Sequence, residues 1–106
     1  MIEARVVEVA FSSIFTRTLF VRVAPNPPLQ QLRQSLGEND REPFDPHLSL
    51  LYQKLSPLRR AELAKEIQLP FASVTFDSVS ATRCRIPVES VADVGYWEMI
   101  AIRPLL

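Results

Sequence analysis

Apolar residues recur at a spacing of two over some stretches of the chain and at three to four over others, and the changes of period mark out its elements. Residues 4–10, with Val6, Val7, Val9 and Ala10, predict a strand. In residues 18–24, Leu19, Val21 and Val23 alternate with Thr18, Phe20 and Arg22, and β-branched and aromatic side chains dominate, which predicts a second strand. Residues 11–17 between them read as a loop or a bulged continuation. Asn26-Pro27-Pro28 opens a helix. The asparagine side chain can accept from free N–H groups of the first turn, and proline is tolerated there because the donor it lacks would have no partner. Leu29, Leu32 and Leu36 then recur at helical spacing over residues 28–36, and Gly37 offers the left-handed residue on which many helices end.

Residues 38–43 are polar and predict a surface loop. Phe44-Asp45-Pro46 leads into a short, mostly apolar strand over residues 47–52, with Pro46 at its start, where a missing donor does least harm. Ser56-Pro57 begins a second helix by the same device as the first. Leu58, Leu63, Ala64 and Ile67 form its inner stripe, Arg59, Arg60, Glu62, Lys65 and Glu66 its solvated face, and Pro70 closes it. Residues 71–82 alternate in part around Val74, Phe76 and Val79 and predict a strand. Residues 83–95 read as a turn or a long hairpin loop, and residues 96–103 as a final strand. The order β-β-α-β-α-β-β predicts an α+β fold, an antiparallel sheet with both helices on one face.

Composition narrows the classes of function. At 106 residues, nearly half of them apolar, the chain suits one domain with a modest core. Twelve basic residues balance twelve acidic ones, so no global charge draws it to nucleic acid, and self-association meets little repulsion. The single cysteine, Cys84, rules out an intramolecular disulfide, and one cysteine with one histidine cannot build a structural zinc site. The first ten residues carry Glu3, Arg5 and Glu8 and lack the apolar centre of a signal peptide, and no apolar run approaches the ~20 residues that span a bilayer. A cytoplasmic protein with neither membrane nor DNA as partner is expected.

Every enzymatic reading passes through His47, because histidine occurs once. On a strand His47 and Ser49 share a face, while Leu48 and Leu50 point the other way, into the core. An imidazole beside a hydroxyl suits phosphate-ester chemistry without a metal: imidazole exchanges protons with water or an alkoxide, and the hydroxyl donates to a phosphate oxygen as charge builds on it. Taken bare, His-x-Ser is a weak pattern, and an ordinary strand histidine is the commoner case.

The residues around it are more specific. The run Phe44-Asp45-Pro46-His47-Leu48-Ser49-Leu50-Leu51-Tyr52 resembles the second signature of the two-histidine (2H) phosphoesterases, in the branch of cyclic phosphodiesterases that act on 2′,3′-cyclic nucleotides. That signature is similar to Phe-x-Pro-His-hydrophobic-Ser/Thr-Leu, often continuing Leu-Tyr. Arg17-Thr18-Leu19-Phe20-Val21-Arg22-Val23 is similar to the Arg-x-hydrophobic-Phe-x-x-Val of the preceding strand in that branch. A helix lies between the two in both, and another follows the motif. The branch then ends in a β-rich region with Thr and Trp at positions that Thr82 and Trp97 match. The resemblance spans most of residues 13–106. It implies one lobe of a pseudo-symmetric pair whose two histidines face each other across a groove, one as general base on water, the other as general acid on the leaving ribose oxygen. His47 would be one of these, and Ser49 would hold a phosphate oxygen. The implied substrate is a 2′,3′-cyclic nucleotide or a cyclic phosphate at an RNA end, the implied role RNA processing, with no cofactor and no metal.

Other residues have two readings each. Arg17 can meet phosphate charge by bidentate contact or sit as a surface arginine on a strand. Tyr52 can stack on a base or bond a phosphate; a half-buried strand-end tyrosine with its hydroxyl in solvent is commoner. Thr82, close in sequence to Arg83 and Arg85, can border the groove. Trp97 and Phe76 are most simply core or interface residues. Cys84 has no histidine or helix start beside it to activate its thiol.

The chain departs from the 2H pattern in having no other histidine. The first His-x-Ser/Thr is absent, and by the resemblance the first half of that fold is expected to be missing upstream of Met1, so residues 1–106 read as a single domain, one lobe. Three explanations compete: two copies pair as a homodimer, each lending a His47; the chain is a truncated product; or the lobe serves binding or assembly. An isolated lobe exposes apolar or strand-edge surface, which favours pairing. The rival to the enzyme is a non-catalytic half-domain that dimerises or binds nucleotide or phosphate. A small RNA-binding β-platform fits poorly, since the chain is neutral and lacks paired exposed aromatics on one strand.

Overall fold

In the computed structural model, which describes residues 1–37, 43–84 and 86–105, the fold is built outward from two strands, β1 (Ile2–Phe11) and β2 (Leu19–Val23). They pair antiparallel with Val6 opposite Val23 but Glu8 opposite Arg22, so Val7 is an extra residue. This bulge explains an irregular pattern. Ile2, Ala4 and Val6 share one face, and strict alternation would turn Val9 to the other; the extra residue returns Val9 to the first face, opposite Val21. Among the described residues β2 lies inside the sheet and is its most buried strand, with Leu19, Phe20, Val21 and Val23 all at or below 3 % exposure.

Helix α1 (Pro27–Ser35) begins as expected: Asn26 Oδ1 accepts from the Leu29 N–H at 3.0 Å. The Asn26 amide also donates to the Glu3 carbonyl at 2.8 Å, tying the helix start to β1. Gly37 has a φ of +80°, the left-handed stop the sequence predicts. Leu29 joins Ala4, Val21 and Val23 in the core, with Ile2, Val6, Phe44, Leu69, Val74 and Phe76 packed around them. Leu36, expected on the inner stripe, is largely exposed. The polar loop predicted at residues 38–43 falls mostly outside the described residues.

β3 (His47–Leu51) adds antiparallel to β2, and β4 (Ser73–Phe76) to the free side of β1, giving the order β3-β2-β1-β4. Leu48 and Leu50 do not reach the core as expected. β3 is an edge strand, and they remain 40 % and 39 % exposed, Leu50 as the extra residue of a second bulge. Helix α2 (Pro57–Glu66) is capped by Ser56, whose Oγ accepts from the Arg59 N–H at 3.2 Å, and packs along β1. Its expected stripe is shifted: Leu58 is 71 % exposed, whereas Arg60, assigned to the wet face, has its Nε buried.

The last third departs further from expectation. The strand predicted over residues 71–82 is two, β4 and β5 (Ser78–Arg83), separated at Asp77 and belonging to different sheets. β5 pairs with β6 (Glu98–Pro104) in a two-stranded ribbon, so the final strand does not extend the main sheet. The predicted loop contains a short helix, α3 (Val91–Gly95), set by a capping box in which Ser90 and Asp93 bond each other's backbone N–H. The Leu105 N–H donates to the Asp77 carbonyl at 2.7 Å, and the terminal amine of Met1 to the Leu105 carbonyl at 2.9 Å, closing the ribbon against β1. The fold is the expected α+β, a curled antiparallel sheet with helices. Among the described residues no helix is long and apolar enough to cross a membrane.

Candidate active site

The start of β3 is fixed by its neighbour, since the Val23 N–H donates to the Pro46 carbonyl at 3.1 Å. His47 follows, opposite Arg22, with Ser49 opposite Phe20. The period-two argument holds here, because the β3 bulge lies beyond Ser49. His47 Nδ1 is 2.9 Å from the Asp45 carbonyl. A carbonyl only accepts, so Nδ1 carries the proton in that bond and the neutral ring keeps its Nε2 lone pair. The ring is exposed and stands T-shaped against that of Phe20, with centroids 5.6 Å apart at 72°.

Phe20 is the floor of this face. It is 2 % exposed although its side chain points away from the Val21 and Val23 core, because charged groups cover it. The Arg17 guanidinium lies 4.5 Å from its centroid and that of Arg22 5.4 Å. Asp45 clamps both: Arg17 Nη2 donates to Oδ2 at 2.9 Å and Arg22 Nε to Oδ1 at 3.0 Å. Arg22 Nη1 also donates to Glu8 Oε1 at 2.7 Å. Burial pushes the Asp45 carboxyl up, but the hydrogen bonds and charges of the two arginines outweigh it, and its pKa is lowered overall. Arg22 is raised, first by its bond to Glu8 and then by that to Asp45.

The structure therefore brings His47, Ser49 and Arg17 together on one face and adds Asp45, Arg22, Glu8 and Phe20, to which the sequence reading gave no part in the site. Their signals were faint: Asp45 stands inside the motif run as an unassigned position, and Arg22 and Phe20 read only as the polar side of a strand. Two of the expected groups are engaged. The Ser49 hydroxyl donates to the Thr16 carbonyl at 2.6 Å, and Arg17 has one nitrogen on Asp45 and its Nε buried without a partner. Tyr52 sits half-buried between Phe15 and Trp97, at centroid distances of 6.1 and 5.9 Å. Thr82 lies apart, exposed on β5 opposite Met99. Its neighbour Arg85 is outside the described residues. Among those described, no group of His, Cys, Asp and Glu is disposed to hold a metal ion.

The family model of the 2′-5′ RNA ligase superfamily matches residues 2–83. The chain belongs to the 2′-5′ RNA ligase superfamily. This is the 2H phosphoesterase family that the motif run resembles, and the match takes in the four-stranded sheet, α1, α2 and β5. Superfamily membership points to cyclic-phosphodiesterase- or ligase-type activity on RNA or nucleotide substrates. No curated protein matches the chain significantly.

Proposed function

We propose that this chain is the second lobe of a two-histidine phosphoesterase of the cyclic phosphodiesterase branch. It opens the ring of a 2′,3′-cyclic nucleotide, or of a cyclic phosphate at an RNA end, to a monophosphate. The observation that carries this reading is the bond from His47 Nδ1 to the Asp45 carbonyl, which leaves Nε2 free on an exposed strand beside Ser49. In the hydrolysis, one histidine takes a proton from water as its oxygen bonds to phosphorus. One ribose P–O bond breaks, and the leaving oxygen takes a proton from the other histidine. A second copy supplies that other histidine, so the active form is a homodimer with two His47 side chains across one cleft. Ser49 turns from Thr16 to a non-bridging oxygen, Arg17 adds positive charge, and Tyr52 borders the substrate, whereas Thr82 stands apart on the ribbon. The scheme uses imidazoles and hydrogen-bond donors, with no cofactor, and suits a cytoplasmic RNA-processing role.

A second reading, a non-catalytic half-domain that dimerises or binds nucleotide or phosphate, is favoured by one observation. The Ser49 proton and one nitrogen of Arg17 are already committed within the chain, and two carboxylates balance the two guanidiniums. Light scattering together with turnover of a 2′,3′-cyclic nucleotide separates the two. A dimer whose turnover is lost in His47→Ala, with unchanged melting, supports the enzyme. A monomer without turnover sinks it.

A further inference from the structure

We propose that the cavity beyond the far end of β3 is a second ligand site, one for an organic phosphate on a flat apolar body, such as a nucleoside monophosphate. It encloses about 510 Å³, within the range of small-molecule sites. Ile14, Phe15, Leu55 and Val88 give it apolar walls, and Lys54 and Arg60 give it charge. Its described lining shares no residue with the cluster around His47, so this proposal does not depend on the proposed activity.

Three observations point to an anion. First, the Arg60 guanidinium belongs to the lining and forms no ion pair among the described residues. A guanidinium with no carboxylate on it leaves charge-assisted donors for an oxyanion. Second, Lys54 is exposed and forms no ion pair among the described residues, so the two cations face a single acid in the described lining, Glu89. Third, the part of the lining that carries Glu89 is held in place. The Glu89 N–H donates to Asp93 Oδ2 at 3.0 Å, and the Ser90 N–H to the same oxygen at 3.1 Å, so the capping box of α3 fixes the end of the segment that lines the cavity. An anion alone would leave the apolar walls wet. A base or similar ring against Ile14, Phe15 and Leu55, with its phosphate toward Arg60 and Lys54, uses both halves of the cavity.

Calorimetric titration of the whole chain with 5′-AMP, and separately with inorganic phosphate, tests this. The expected result is saturable 5′-AMP binding that weakens at least about tenfold in Arg60→Met and in Lys54→Met, persists in His47→Ala, and exceeds phosphate binding. Lys54 is exposed, so Lys54→Met keeps the test decisive if Arg60→Met fails to fold. Absence of 5′-AMP binding overturns the proposal. So does binding that Lys54→Met leaves intact and His47→Ala removes, which would assign the nucleotide to the motif face. Phosphate binding as tight as 5′-AMP binding overturns the apolar half of the site.

Discussion

Replacing Asp45 by Asn removes one charge from the centre of the His47 face and leaves the backbone there unchanged. The carboxylate takes a hydrogen bond from each of two guanidiniums at 2.9 and 3.0 Å, and the three side chains are between 26 % and 40 % exposed. Solvent-exposed ion pairs contribute about 0.2–1 kcal/mol each, and hydrogen bonds to well-buried charged groups about 1.5–3. At this intermediate exposure the two together are expected to contribute about 1–2 kcal/mol. For a domain of this size that is a drop of roughly 5–10 °C in Tm. Its pH dependence is the sharper test. The Asp45 pKa is held below its ordinary value of 3.8 in the folded chain. Its contribution is therefore complete above the unfolded value and disappears as pH falls through the folded one. Urea unfolding of wild type and Asp45→Asn, followed by far-UV ellipticity, should show the full gap at pH 7 and a closing gap as pH drops below 3.8. A gap that stays constant down the pH series, or no gap at pH 7, would refute the assignment of Asp45 as the clamp of both arginines.

Two further substitutions test the fold around the site. Phe20→Ala should cost about 3–5 kcal/mol, since it empties a buried ring site and removes the surface on which two guanidiniums and His47 rest; a loss below about 1 kcal/mol in denaturant melts would contradict its place as the floor. Asn26→Ala should cost about 1 kcal/mol through the lost cap, with a further loss from the bond to Glu3, and an unchanged denaturation midpoint would show that another group caps α1.

What was legible in the sequence was local. The caps at Asn26 and Ser56, the left-handed Gly37 and the shared face of His47 and Ser49 each follow from a few neighbouring residues, and each is found. What failed to show depended on distant partners. Asp45 pairs with residues 28 and 23 positions away, and no spacing rule links them. The Val7 bulge can be inferred only once Val9 is known to face Val21. Residues 71–82 alternate well enough to read as one strand, yet the change of sheet at Asp77 is a tertiary choice. Leu48 shows the limit of hydrophobic pattern: it says which side a residue faces, and whether anything covers that side depends on β3 being an edge. The Ser90 to Asp93 capping box is the exception, a readable local signal for α3 that the Pro and Gly content of the region obscured.

The ring contact between Trp97 and Tyr52 has a consequence for how unfolding is observed. Trp97 is the chain's single tryptophan and stands immediately before β6, while Tyr52 follows β3, so the contact joins the ribbon to the four-stranded sheet. A two-stranded ribbon has little stability of its own, and its seven β6 residues are all exposed. Intrinsic fluorescence therefore times the parting of the two sheets, whereas far-UV ellipticity times the loss of backbone order. A two-state fit to emission alone would credit the core with the stability of the ribbon's attachment.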